Sequence, residues 1–292
     1  MPVKIGGLAL DNPVRTSASK FTTSKRSSQL LSEAIITGST LKGEDHNRHV
    51  QEIQKKERLA EKIRNDAKKD ELISSLPSKQ QRTIHRIVKG NASQWLTVLP
   101  LEYDNLDLTR SQFTDSLALR YGKEVTGLPS SCEGCGEIMD TNHALNCKKG
   151  GLITLGHNEV RDECARLASL AWGRVGIEPI LQEAEDGSPS LIADIRVHGL
   201  WSRERAAFLD NRIVNADAPS YVSKDWTTVA NDAAKSKHRK YDQAAEDARG
   251  SFTPLICSCE GVLHREFEMF EKALSTKLSE KWAKPLPDVN NW

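Results

Sequence analysis

The feature that most constrains this chain is a C-x2-C-x7-H-x3-C run formed by Cys132, Cys135, His143 and Cys147. Three thiolates and one imidazole complete a tetrahedral shell for zinc with no open position, which defines a structural ion rather than a catalytic one. Glu133 and Gly134 separate the first two cysteines by a turn tight enough for both sulfurs to face one ion, and Gly136 lets the chain leave. His143 and Cys147 lie four apart, on one face of a helical turn. In a reducing compartment such a tight group is a metal site rather than a disulfide framework. The other three cysteines, Cys164, Cys257 and Cys259, read as core or incidental thiols.

The chain has 292 residues, enough for one large or two small domains of about 100–200 residues each. Its first residues carry no continuous apolar stretch of the kind a secretory signal needs, and nowhere do eighteen apolar residues run together as a membrane span requires. A soluble, intracellular protein without a membrane partner is expected. With a formal charge of +1, no global basic field draws in nucleic acid, so phosphate binding must come from local clusters. Those clusters fall at 20–26, 79–89, 148–149 and 235–240. Each also reads as a solvated face.

Hydrophobic spacing divides the chain into a helical region over 1–128, the zinc knuckle at 129–150 and a mixed region at 151–292. The first forty residues are rich in Ser, Thr and Lys and are expected to be partly disordered, apart from Leu30, Leu31, Ala34 and Ile35 on a helix stopped near Gly38. Residues 44–72 form a charged helix with a thin apolar stripe of Val50, Ile53, Leu59 and Ile63. Another helix follows at 79–88, and Trp95 opens a short apolar run ended by Pro100. Thr109 and Gln112 form a capping box for a helix carrying Phe113, Leu117 and Tyr121. Beyond the knuckle the pattern predicts a helix at 157–172, strands at 177–181, 191–197 and 207–214, a helix at 225–248, a strand at 252–257 and a last helix through Phe267, Phe270, Leu274 and Leu278. The fold class is therefore α+β, a mixed α/β chain.

Two of these strands each hold one aspartate inside an apolar run, Asp194 in LIADIRV and Asp210 in FLDNRIV. A bare carboxylate in a buried strand costs several kcal/mol unless paired or metal-bound, so neighbouring strands with one each ask for a cation. Magnesium suits them, since one or two carboxylates hold it while waters and phosphate oxygens complete its shell. Lys235, Lys237 and Lys240 on the following helix can orient a water or neutralise a transition state. Solvent-facing aspartates at strand ends are the competing reading, and capping or solvation is the competing role of His157 and Glu159.

Taken in order, the zinc cluster, GGLITLGHNEV, ADIRV, FLDNRIV and KSKHRKY resemble the C-terminal part of non-LTR retrotransposon polyproteins that carry a restriction-like endonuclease. The resemblance spans about residues 90–278, and GGLALDNP near the start looks like the stretch that follows the polymerase thumb in that family. No Y/F-x-D-D polymerase motif occurs, so the reverse transcriptase is absent from this chain. The family implies a CCHC knuckle, a helix opened by a GG-x-n-HN motif, and a PD-(D/E)XK core of αβββαβ order whose lysine sits on a helix. It implies Asp194 and Asp210 as magnesium ligands, Lys237 or Lys240 as the helix lysine, and His157 with Glu159 at the helix start. Three departures stand out: Ala193 replaces the proline before the first aspartate, Gly156 replaces a basic residue before the histidine, and Arg212 replaces the strand lysine. An arginine stays charged and cannot accept a proton, though it can balance phosphate.

The leading expectation is a magnesium-dependent endonuclease of retrotransposon origin that nicks DNA in the nucleus, with a structural zinc and with RNA as a further partner. A non-enzymatic relic or co-opted nucleic-acid binder is the alternative. A protein-interaction module built on zinc-stapled helices ranks third.

Overall fold

The computed structural model describes residues 1–10, 12–104, 106–184 and 189–290. Helix takes up about 56% of the chain and the strands form a small mixed sheet, so the protein is of the mixed α+β class. It divides into two compact units, Met1–Ile84 and His85–Trp292. The boundary expected at residue 128 falls inside the second unit, which therefore holds both the knuckle and the sheet.

The first unit is helical. Its first α-helix is α1 (Pro13–Ser27), with Pro13 at its first turn and the Asn12 side chain accepting the Val14 N–H at 3.0 Å. After it come α2 (Gln29–Thr37), ended by Gly38 in the left-handed conformation, and α3 (Gly43–Ser74). Neither α1 nor α2 has a buried residue, and α3 buries only Ile73. Cap chemistry and helix propensity, rather than a core, define these elements. The next helix, α4 (Ser78–Lys89), carries the boundary between the units.

In the second unit α5 (Arg110–Arg120) has the expected capping box, with Thr109 and Gln112 satisfying each other's backbone N–H groups. The expected apolar run at Trp95 is a short 3-10 turn, Gln94–Thr97. The knuckle includes the single turn α6 (Thr141–Ala144). Helix α7 (Leu152–Trp172) starts five residues before the expected position, because its first turn places Leu152 and Leu155 in solvent, where apolar spacing carries no signal.

Strands β1 (Val175–Ile177) and β2 (Ile180–Gln182) come from what reads as a single strand. Glu178 has φ 50° and Pro179 lacks a donor, so the chain turns between them. The second expected strand likewise splits into β3 (Leu191–Ile192) and β4 (Ile195–His198), with Ala193 and Asp194 between. Residues 185–188, part of the expected turn before β3, lie outside the described residues. β5 (Ala206–Val214), α8 (Trp226–Asp247), β6 (Ser251–Ser258), α9 (Arg265–Trp282) and α10 (Leu286–Asn290) complete the chain.

The main sheet has the order β1-β4-β5-β6, with β2 and β3 in a separate two-stranded ladder. β4 is antiparallel to both β1 and β5, while β5 and β6 are parallel and joined through α8. Period-two alternation sorts β5 into two faces. Ala207, Leu209 and Ile213 pack with Cys164, Ala165 and Ala168 of α7 and with Phe267 and Phe270 of α9. Phe208 and Val214 pack instead on α8, against Tyr241 and Ala245 or Val229 and Ala230. The sheet thus has α8 on one face and the α7–α9 pair on the other. Among the described residues no helix is long and apolar enough to cross a membrane.

Candidate functional site

Two polar constellations stand out in the second unit. At the knuckle, ligand atoms of Cys132, Cys135, His143 and Cys147 all lie within 4.8 Å of one another. Cys132 Sγ is 3.8 Å from Cys147 Sγ, Cys147 Sγ is 3.7 Å from Cys135 Sγ, and His143 Nε2 is 3.3 Å from Cys135 Sγ. Local backbone bonds make this geometry. Cys132 N–H donates to the Glu137 carbonyl at 2.8 Å and Gly136 N–H to the Cys132 carbonyl at 2.7 Å, closing the first turn. A Cβ at Gly134 would stand 2.3 Å from the Lys149 carbonyl oxygen, so only glycine allows the two ligand loops to meet. Asp140 caps α6 by accepting the His143 N–H at 2.6 Å, which fixes the imidazole's start point.

Hydrogen bonding also prepares the sulfurs. The Cys132 thiol is held below its ordinary range by His143 and by the Cys135 and Gly134 N–H groups, and the Cys147 thiol by the Lys149 and Gly150 N–H groups. A lowered pKa favours the thiolate that metals bind. The cluster can hold a metal ion such as zinc, and its donor set suits that ion. Cys135 is raised instead: the Glu137 N–H lowers it, but burial and the neighbouring Cys132 and Cys147 outweigh that bond. Outside the knuckle, burial pushes Cys257 and Cys259 up to about 12 and raises Cys164 as well.

The second constellation forms where β4 begins. Ile195 pairs with Leu209 at the end of the antiparallel ladder, and Asp194 precedes it where the regular pairing stops, close to Asp210 of β5. Asp194 N–H donates to the Leu209 carbonyl at 3.0 Å, and its Oδ2 accepts the Asn211 N–H at 2.6 Å. Asp194 therefore bonds the backbone on either side of Asp210. Its Oδ1 meets His157 Nε2 of α7 at 3.2 Å. Asp210 is buried on the α8 face, and its Oδ1 accepts from Lys237 Nζ.

Neighbouring carboxylates repel, and here Asp210 is paired with the Lys237 ammonium while Asp194 hydrogen-bonds His157, which is charged when protonated. The hydrogen bond to Asp194, together with the charges of Asp194 and Asp210, raises the His157 pKa against burial and Lys237. Tyr241, one helical turn beyond Lys237, completes the α8 side. Its hydroxyl donates to the Ile192 carbonyl at 3.1 Å, and its ring stacks on Phe252 with centroids 4.8 Å apart. Burial first, then the two aspartates, push its phenol pKa up, so it stays protonated.

Of the residues singled out from sequence, His157, Asp194, Asp210 and Lys237 are brought together. Lys240 is exposed beside them, donating to the Tyr241 hydroxyl at 2.9 Å with its ammonium 4.5 Å from the ring centroid. Glu159 is exposed on α7, two residues past His157 and so on the far side of the helix. Arg212 is half-buried beside Asn211 on β5. Among the described residues, only the Cys3His set brings three or more metal-type ligands within 4.8 Å, so the aspartate pair is not a protein-only cage. Its chemistry nonetheless fits magnesium, which takes one or two carboxylates and keeps several waters.

Other contacts gave no sequence signal. Arg86 of α4 bonds Asp217 at 2.6 Å and Glu260 at 2.5 Å, all three side chains nearly buried, across separations that no local pattern reports. Asn142, beside the ligand His143, accepts from Asn215 Nδ2 at 3.0 Å and so ties the knuckle to the end of β5. Tyr241 was legible in retrospect, since its spacing of four from Lys237 puts both on one helix face. What fold and site define together is a mixed α+β protein with a Cys3His metal knuckle and a buried carboxylate–lysine cluster. No family model matches the chain, and a search of curated proteins finds no match to it.

Proposed function

We propose that the second unit is a DNA endonuclease module of the restriction-like PD-(D/E)XK type, derived from a non-LTR retrotransposon and acting in the nucleus with magnesium. The observation that carries this reading is that Asp194 bonds the backbone on either side of Asp210, at the Leu209 carbonyl and the Asn211 N–H, with Lys237 on the Asp210 carboxylate. The order of elements around the main sheet also fits, with α7, then β1, β4 and β5, then α8, β6 and α9.

Asp194 and Asp210 would hold the ion, which supplies charge stabilisation at a phosphodiester and a lower pKa for the attacking water. Lys237 balances the buried Asp210 and stands ready to neutralise charge that builds on phosphate oxygens. His157 orients the Asp194 carboxylate through its Nε2. In the hydrolysis a water oxygen bonds to phosphorus in line with the departing sugar oxygen, whose bond to phosphorus breaks; the attacking water loses a proton to solvent, and the departing oxygen takes one from solvent to become a hydroxyl. Exposed Lys235, Arg239 and Lys240 on α8, with Lys148 and Lys149 after the knuckle, supply local positive charge for the DNA backbone. The zinc knuckle does no chemistry in this scheme.

Nicking of supercoiled plasmid with and without magnesium, comparing wild type with Asp210→Ala, tests the proposal. Magnesium-dependent nicking that the variant lacks is expected. An unchanged rate in the variant sinks it.

One observation favours the non-enzymatic alternative: Asp210 is already neutralised by Lys237, so the cluster is charge-balanced by the chain itself. On that reading DNA affinity is salt-dependent, survives removal of both aspartates and is lost on Cys132→Ser with Cys135→Ser. RNA competes in the same assay if the knuckle reads single strands.

A further inference from the structure

Asn211 lies on β5 between Asp210 and Arg212 with only 1% of its surface exposed. Its backbone N–H is used, donating to Asp194 Oδ2. Neither Oδ1 nor Nδ2 of its side chain has a hydrogen-bond partner among the described residues. Strand alternation sends that side chain to the face shared with Leu209 and Ile213, against α7, the helix that carries His157. The amide and the His157 imidazole thus flank the Asp194 carboxylate from the same side of the sheet.

A primary amide carries two donors and a doubly accepting oxygen, and burying it unpaired loses the hydration of every one of them. A leucine of similar size would fit the apolar company of Leu209, Ile213 and Val160 without that loss. Asn215, four residues on, shows the ordinary outcome. Its Nδ2 donates to Asn142 Oδ1 at 3.0 Å and its Oδ1 accepts the Asp217 N–H at 3.1 Å. An amide left without an internal partner beside two carboxylates marks a position that takes its partner from outside the chain.

We infer that Asn211 is a positioning residue of the Asp194–Asp210 site, whose side-chain amide binds an ordered water shared with the Asp194–His157 pair and thereby sets the affinity of the carboxylates for a divalent cation. This rests on reading that site as a cation-binding nuclease centre. The amide touches neither DNA nor the reacting atoms. It acts by fixing the carboxylate, as hydrogen-bond partners of metal ligands generally do.

The test uses the full zinc-loaded chain, with manganese as the probe ion. Thermal unfolding without added manganese and manganese binding by electron paramagnetic resonance are measured for wild type, Asn211→Leu, Asn211→Thr and Asp210→Ala. Asn211→Leu is expected to unfold at the same or a higher temperature than wild type, yet to bind manganese about 10- to 100-fold more weakly. Asn211→Thr, whose hydroxyl can hold a water, recovers part of that affinity. Wild-type manganese affinity in Asn211→Leu overturns the inference, and so does a lower unfolding temperature without manganese, which would make the amide a structural element. If the wild type binds no manganese that Asp210→Ala removes, the nuclease-centre reading fails first and the inference falls with it.

Discussion

The knuckle draws its four ligands from residues 132–147, whereas the carboxylate cluster draws His157, Asp194, Asp210 and Lys237 from α7, the β3–β4 junction, β5 and α8. In the knuckle three sulfurs converge with one imidazole and backbone N–H groups as their only partners, and as thiolates they would need a cation to stay together. In the cluster each carboxylate already has a partner, Lys237 or His157, and the arrangement stands on its own charges. On the proposed reading a metal would be part of the fold at the first site and a ligand at the second.

The largest test of that difference is removal of metal from the knuckle. Structural zinc contributes about 10–16 kcal/mol of apparent binding free energy in small zinc-finger peptides. Strong chelation or Cys135→Ser is expected to free the amides of the knuckle turns to hydrogen exchange while those of β5 and β6 stay protected. Native mass spectrometry should find one zinc per chain before treatment. Loss of protection in the sheet as well would break the contrast, because the sheet would then depend on the ion too.

Next in size is Lys237→Met, which leaves Asp210 buried without its cation. Breaking such a pair costs about 3–5 kcal/mol, and the lower end applies because the Lys237 side chain is 21% exposed. Urea unfolding at neutral pH measures it, and a change below about 1 kcal/mol would show that the cluster does not rely on its own charges.

A smaller effect attaches to His157. Its folded pKa is raised above the ordinary 6.5, mainly by the hydrogen bond to Asp194. The stability this adds is complete below the unfolded value and is lost as pH rises through the folded one. Without added divalent cation, the unfolding temperature of the wild type should fall relative to Asp194→Asn as pH climbs from 6.5 through the raised value. Parallel pH curves for the two proteins would remove His157 from the cluster's charge balance.

Smallest of all is Lys240→Ala. Its ammonium is exposed above the Tyr241 ring and donates to that hydroxyl, an arrangement worth about 0.5–1 kcal/mol at a surface. A loss as large as that of Lys237→Met would reverse the assignment of the two lysines.

The same contrast explains what the sequence made legible. The knuckle is encoded by spacing within one short segment, so its ligands were readable from the four positions alone. The capping box at Thr109 and the end of α2 at Gly38 were readable for the same reason. Asp194 and Asp210 could be picked out as polar residues in apolar runs, but their proximity depends on the pairing of β4 with β5, which no local pattern states. The choice of Lys237 over Lys240 is set by which face of α8 meets β5, where Ala233, Ala234 and Tyr241 are buried and Lys240 is not. Glu178 at positive φ hid the break between β1 and β2, since glutamate gives no warning of a left-handed turn. The triad of Arg86, Asp217 and Glu260 is held by tertiary contact alone.

Because the cation that balances Asp210 arrives on α8, its placement is set by helical phase rather than by the strand. Each residue along a helix advances the side chain by about 100°. One codon gained or lost between Trp226 and Lys237 would present Ser236 or His238 to the carboxylate and turn the lysine away. Descendants of this gene should therefore vary in length within residues 201–205, which are exposed, and keep strict length through the first three turns of α8.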